Sequence, residues 1–343
     1  MTARVRTLAA TLALVLAILT LPSRAASKLP ARLTDKEFWQ LSTDSSETDG
    51  YFRSDNLTSN ELGFLYVLPE LVMRTKPGEA YLGVGPEQNY TYIAATKPAM
   101  AIIFDIRRGN LLLQLMYKAI FEMTRNRADF ISLLFSRPRP EGLTAESPVT
   151  ELFAVFTNVP RDENVYERNL NAITDRLVRM HGMPLTAPEL NGIRGIYRAF
   201  FERGYSVRYS PTYADLMTAT DRAGRYRSYL ASESAFNVVR ELEVNNLVIP
   251  IVGDFGGPKA IRSVAAYLKA HDATVGAFYL SNVEQYLAQD GKMTAFCRSV
   301  AMLPLDGTST FIRSQSGGNR PGGFGFGFVQ SLGSMAAETR ECR

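Results

Sequence analysis

Apolar positions along this chain fall into two patterns. Five short stretches are continuously or nearly continuously apolar: the run after Glu79 that ends in Gly83, Val84 and Gly85, then Ala99 to Phe104, Asn246 to Asp254, Thr274 to Leu280 and Ser309 to Arg313. Between them, apolar residues recur at helical spacing. Continuous runs of this length, alternating with helices, predict strands of a parallel sheet covered on both faces.

Thr34 and Glu37 form a capping-box pattern that opens a short helix, with the sole tryptophan, Trp39, packing this N-terminal arm onto the body. Thr58 and Glu61 repeat the pattern ahead of Leu62, Leu65, Tyr66, Leu68 and Leu71, so a second helix is expected there. Ser54, Asp55 and Asn56 before it are a turn signal, or polar groups that fold over a ligand. Further helices are expected from Pro86 to about Thr96, through Leu111 to Phe121, over Ala128–Phe135, Pro148–Met180, Ala187–Glu202 and Tyr226–Glu243, from Pro258 to His271, and after Ser281. The region from about 110 to 245 is therefore mostly helix, an insertion between the second and third strands. The aromatic residues on these helices, including Tyr197, Phe200 and Phe201, read as core. The glycine-rich tail, Gly317 to Gly327, reads equally as a flap or an edge strand.

Candidate chemistry concentrates between Glu79 and Asn110. A strand there ends in Gly83-Val84-Gly85, a helix follows, and the next strand delivers Asp105. This is the layout of a nucleotide-binding unit: glycines let backbone approach a ligand, the helix N-terminus offers free N–H groups, and an acid about 20 residues on holds ribose hydroxyls. Ligands of an open parallel sheet bind at the carboxyl ends of its strands. Gly83, Gly85, Asp105, Asp254, Ser281 and Asn282 all fall at such ends.

The ends of the chain change the setting. Arg4 and Arg6 precede an apolar core from Leu8 to Leu21, and Ser23, Arg24 and Ala25 supply a cleavage site, so residues 1–25 read as a signal peptide, the alternative being an uncleaved anchor. The mature protein is expected to be exported, periplasmic or extracellular. Its arm would cover residues 26–78 and its main domain 79–343. Loss of Arg4, Arg6 and Arg24 lowers the formal charge from +4 to about +1 (4 − 3), which argues against a nucleic-acid partner. Membrane contact is expected only through an uncleaved signal segment. Cys297 and Cys342 are the only cysteines. They are either bridged, pinning the C-terminus, or a buried thiol and a loose one. With His181 and His271 they show no metal-ligand spacing, and no metal is expected.

These segments resemble the class I S-adenosylmethionine-dependent methyltransferase superfamily over residues 79–110 and 246–314. The glycine turn is similar to its first motif, Asp105 matches its ribose-binding acid, Gly253 and Asp254 its third-strand motif, and Phe278 to Leu287 its fourth-strand motif beside the methyl-transfer centre. YLGVGPEQNYTYIA, IIFDIRR, VGDFGGPKAIR and FYLSNVEQYL resemble, more closely and over most of the mature chain, an uncharacterised bacterial family of exported proteins. The superfamily resemblance implies a Rossmann-like α/β fold, S-adenosylmethionine as cofactor, and a ligand site of Gly83, Gly85, Glu87, Asp105, Arg107, Asp254, Ser281 and Asn282. Glu87, Glu284 or Asp254 could serve as base for an acceptor that must lose a proton. Glu87 and Glu284 also read as acids at helix starts. Arg107 and Arg108 read either as holders of a carboxylate or phosphate or as structural ion pairs.

Three features depart from the superfamily pattern. Pro86 and Glu87 stand where a third glycine is usual, the helical insertion is long, and only about 30 residues follow the last expected strand. Export adds a chemical objection, since S-adenosylmethionine is made in the cytoplasm. The expected function is accordingly an exported methyltransferase-like protein binding S-adenosylmethionine or a related nucleoside. The alternatives are a non-catalytic periplasmic binding or envelope-interaction protein that keeps the fold, and an enzyme using another nucleotide in the same cleft.

Overall fold

All five apolar runs form strands in the computed structural model, which describes residues 28–208, 210–316 and 328–342. Residues 1–25, expected as a signal segment, and the tail from Gly317 to Gly327 lie outside the described residues. The strands are β1 (Ala80–Val84), β2 (Met100–Asp105), β3 (Val248–Val252), β4 (Val275–Ser281) and β5 (Thr310–Ser316). A sixth, β6 (Phe328–Ser334), follows the glycine-rich tail. One six-stranded sheet results, in the order β3-β2-β1-β4-β5-β6. The first five strands are parallel, and only β6 runs antiparallel, against β5. This is a Rossmann-like sheet that closes with a single antiparallel strand.

The helices begin with α1 (Asp35–Ser45), where Thr34 and Glu37 do form the expected capping box. A 3-10 turn (Leu62–Val67) leads into α2 (Leu68–Arg74). Between β1 and β2 lies α3 (Gln88–Thr96), and between β2 and β3 lie α4 (Arg108–Met123), α5 (Arg127–Phe135), α6 (Val149–Thr157), α7 (Glu163–Asp175), α8 (Ala187–Arg203), α9 (Tyr213–Thr218) and α10 (Glu233–Val244). Then come α11 (Ala260–Ala270), α12 (Val283–Gln289), α13 (Met293–Val300) and the short α14 (Met335–Glu338). Helix α10 packs on α3 and α4, whereas α11 packs on α1 and α13. These two groups are the opposite faces that right-handed crossovers to either side of β1 require.

Every residue of β2 and β3 is buried, as continuous apolar runs require. Pro250 sits inside β3, where its missing N–H is tolerated because β3 is an edge strand. The edge is covered by α1, whose Ser42 hydroxyl donates to the Pro250 carbonyl at 2.5 Å. The insertion shares the main core: Tyr90 of α3 meets Tyr117 and Phe121 of α4 and Tyr229 edge-on, with ring centroids 5.2–5.4 Å apart.

The second capping box does not form. Glu61 occupies the position before the 3-10 turn without capping it, and it is 1% exposed. Its carboxylate is engaged by residues distant in sequence, which outcompete the local pattern. The cysteines are bridged, Cys297 in α13 to Cys342, with Cα atoms 5.7 Å apart.

Candidate functional site

The carboxyl ends of β1 to β4 surround a cleft of about 420 Å³. Gly85, Asp105, Asp254, Ser281 and Asn282 all line it. Its volume is within the range of sites for small molecules and cofactors. The strand order reverses between β1 and β4, so the cleft lies at the sheet's topological switch point.

Gly85 ends the β1 turn at φ +78°, and nothing lies within 4 Å of where a Cβ would stand. Its carbonyl accepts from Gln114 Nε2 at 2.9 Å, which fixes the turn from behind. Gly83 has another task. A Cβ there would collide with Asn89 Oδ1 and the Tyr81 hydroxyl, so this glycine makes room for packing and does not line the cleft.

Asp105 faces the cleft, but Arg107 holds it: the Arg107 N–H donates to Oδ1 at 2.8 Å and the guanidinium to Oδ2 at 3.4 Å. Burial pushes the Asp105 carboxyl up, and Arg107 pulls it partly back. Arg107 also donates to the Asp55 carbonyl at 2.6 Å, tying β2 to the N-terminal arm. Asp254 is likewise paired, with Lys292 Nζ at 2.5 Å, and its Oδ1 accepts from the Gly256 N–H at 2.8 Å. Ser281 adopts a left-handed conformation, φ +51°, at the end of β4. A non-glycine residue there is strained, and the strain sits in the cleft wall.

The other expected site residues point elsewhere. Glu87 is fully buried outside the cleft lining, accepting the Ser59 N–H at 3.1 and 3.2 Å, and burial pushes its carboxyl up to about 7. Glu284 forms a two-pronged ion pair with Arg313 of β5 and does not line the cleft either. Arg108 pairs with Glu189, and Arg107 stands behind Asp105. Both arginines are thus engaged in ion pairs.

The arm contributes what sequence reasoning missed. Glu47 accepts from the N–H groups of Asp254, Lys259 and Ala260 at 3.0, 2.8 and 3.0 Å, capping the start of α11. The Glu47 N–H donates to the Val252 carbonyl and that of Gly50 to the Ile106 carbonyl, both at 2.8 Å, so the arm crosses the ends of β3 and β2. It then places Phe52 edge-on against Tyr286, centroids 5.1 Å apart, with the Arg53 guanidinium over the same ring and 3.3 Å from its hydroxyl. Deeper in the cleft wall, Glu61 accepts from Ser281 Oγ at 2.5 Å, Gln88 Nε2 at 2.9 Å and Gln330 Nε2 at 3.2 Å. Ser59 hydrogen-bonds Gln88 Oε1 in the same network. Asn56 lines the cleft as part of a turn with φ +42°. The one signal for Glu61 was the acid itself, and its local pattern suggested a cap.

The arrangement can enclose a small polar ligand between an aromatic mouth and a hydrogen-bonded wall. An rRNA methyltransferase, aviRa from Streptomyces viridochromogenes, is similar at 10% identity with a TM-score of 0.33, the match covering 92% of this chain and 98% of that one. No curated protein matches the chain. The model for a domain of unknown function, DUF7790, matches residues 57–328, and the chain belongs to that family.

Proposed function

We propose that this chain is an exported methyltransferase-like protein that binds S-adenosylmethionine or a related nucleoside in the cleft. What supports this most is one convergence: Gly85, Asp105, Asp254, Ser281 and Asn282, from four strand ends, line a single cavity at the switch point of the sheet. Gly85 leaves backbone open to a ligand, and Asp105 offers ribose hydroxyls a carboxylate already oriented by Arg107. The long insertion and the arm then select what reaches the ligand. Export is read from residues 1–25 of the sequence. A fusion to a reporter active only outside the cytoplasm tests it, and an inactive fusion would count against export.

A second reading is a non-catalytic binding protein that keeps the fold. One observation favours it: neither Glu87 nor Glu284 lines the cleft, and Asp254, the third candidate base, is held there by Lys292. A crystal structure grown with S-adenosylhomocysteine tests the ligand placement common to both readings. A nucleoside lying across the ends of β1 and β4 supports them, and an empty cleft at millimolar ligand contradicts them.

A further inference from the structure

The acids of the cleft are not equivalent. Asp105 is paired with Arg107 and Asp254 with Lys292, so each faces a ligand with its charge already balanced. Glu61 is different. It lines the cleft at 1% exposure, and the side chains that meet its carboxylate, Ser281, Gln88, Gln330 and the Tyr279 hydroxyl, are all neutral. Among the described residues it forms no ion pair with lysine, arginine or histidine. Neutral donors occupy its lone pairs but leave its charge without a counter-ion. The aromatic side chain of Tyr279 lines the same wall, and the charge of Glu61 helps to push that phenol up, after burial, as a near neighbour must. Among the described residues the cleft's other charges outside an ion pair, Arg53 and Asp290, are both exposed, where water screens them. A buried charge acts through a much lower dielectric and dominates.

Resting on the nucleoside reading above, we infer that Glu61 makes the cleft selective for the positively charged form of its ligand, a sulfonium or an ammonium, over the neutral thioether. A carboxylate buried among neutral donors gains most from a cation that arrives with the ligand, and an aromatic neighbour adds to that preference. The consequence is directional. A charged methyl donor is held, and the neutral product left after the methyl group departs is released. The same selectivity serves a binding protein that distinguishes the two.

Three probes test this by calorimetry on the full chain: S-adenosylmethionine, sinefungin, which carries an ammonium in place of the sulfonium, and S-adenosylhomocysteine. The wild type is expected to bind the two cations about tenfold more tightly than the thioether. Glu61→Gln should bring the three together while leaving the thioether within about threefold of wild type, and Glu61→Asp should restore part of the gap. Equal wild-type affinity for all three overturns the inference and leaves the nucleoside reading intact. A Glu61→Gln variant that weakens all three equally also overturns it, since that marks a purely structural role. Silence toward all three removes the nucleoside reading and the inference with it. The wild-type comparison needs no variant, so a misfolded Glu61→Gln leaves the test intact.

Discussion

Ser281 Oγ donates to Glu61 Oε1 at 2.5 Å, joining residues 220 positions apart. The bond locks the strained end of β4 to the arm. With Gln88 of α3 and Gln330 of β6 it makes Glu61 a junction of four elements.

Removing that junction leaves the donors from Ser281, Gln88 and Gln330, and the Tyr279 hydroxyl, without this acceptor. Glu61→Ala is expected to cost about 3 kcal/mol, and Ser281→Ala about 1 kcal/mol, because it removes a single bond. Urea unfolding measures both. Losses under about 0.5 kcal/mol for both would mean that water replaces the network freely.

His181 sits between two carboxylates, Nδ1 2.7 Å from Asp35 Oδ1 and Nε2 2.6 Å from Glu122 Oε2, and so joins α1 to the insertion. Its hydrogen bond with Glu122, above all, raises the imidazole from its ordinary 6.5. Burial pushes Asp35 and Glu122 up, but His181 and their other partners outweigh it, and both are held below 3.8 and 4.5. The signs follow. The histidine's contribution is complete below pH 6.5 and is lost as pH rises through its folded value, whereas those of the acids are lost as pH falls through theirs. The cluster therefore stabilises most between the ordinary values of Glu and His, 4.5 and 6.5. Unfolding midpoints measured from pH 4 to 9 should show His181→Gln losing about 1 kcal/mol near pH 6 and nearly nothing at pH 9. A pH-independent loss would contradict the ion-pair account.

Glu243 is buried with neither carboxyl oxygen hydrogen-bonded, and burial pushes it up to about 8. Its folded value exceeds the unfolded one, so stability is expected to fall as pH rises from about 4.5 through 8. Glu243→Gln, which cannot ionise, should be the more stable protein above pH 8, by about 5 kcal/mol. Parallel pH curves for the two proteins would mean that Lys118, whose charge pulls the carboxyl partly back, holds it ionised throughout.

The bridge between Cys297 and Cys342 closes a loop of 45 residues that contains β5 and β6. Its removal by Cys342→Ser should cost about 3 kcal/mol. Because β6 carries Gln330 to Glu61, the same variant should also loosen the cleft, visible as faster hydrogen exchange at Gln330 and Ser281. Unchanged exchange there would separate the C-terminal anchor from the site.

The sheet was legible because each parallel strand is a continuous apolar run, and the carboxyl end of such a run is where ligands bind. Asp105, Asp254, Ser281 and Asn282 were found that way. What local spacing hides is the partner. Thr58 and Glu61 match a capping box, yet Glu61 is bound at separations of 27, 220 and 269 residues. Glu284 resembles a helix-start acid, yet its charge is held by Arg313 on the neighbouring strand. Gly83 belongs to a glycine turn, yet the room it leaves is filled by Asn89 and Tyr81. For Glu61 and Glu284 the decisive neighbours come from elements distant in the sequence, and no sequence period encodes them.

The central claim is that the cleft holds a nucleoside of the S-adenosylmethionine type. Titration calorimetry of the mature chain with S-adenosylmethionine addresses it most directly, with Asp105→Ala alongside. One saturable site, weakened about tenfold or more by that substitution, is the expected result. No heat at millimolar ligand, or an affinity indifferent to Asp105, would contradict it.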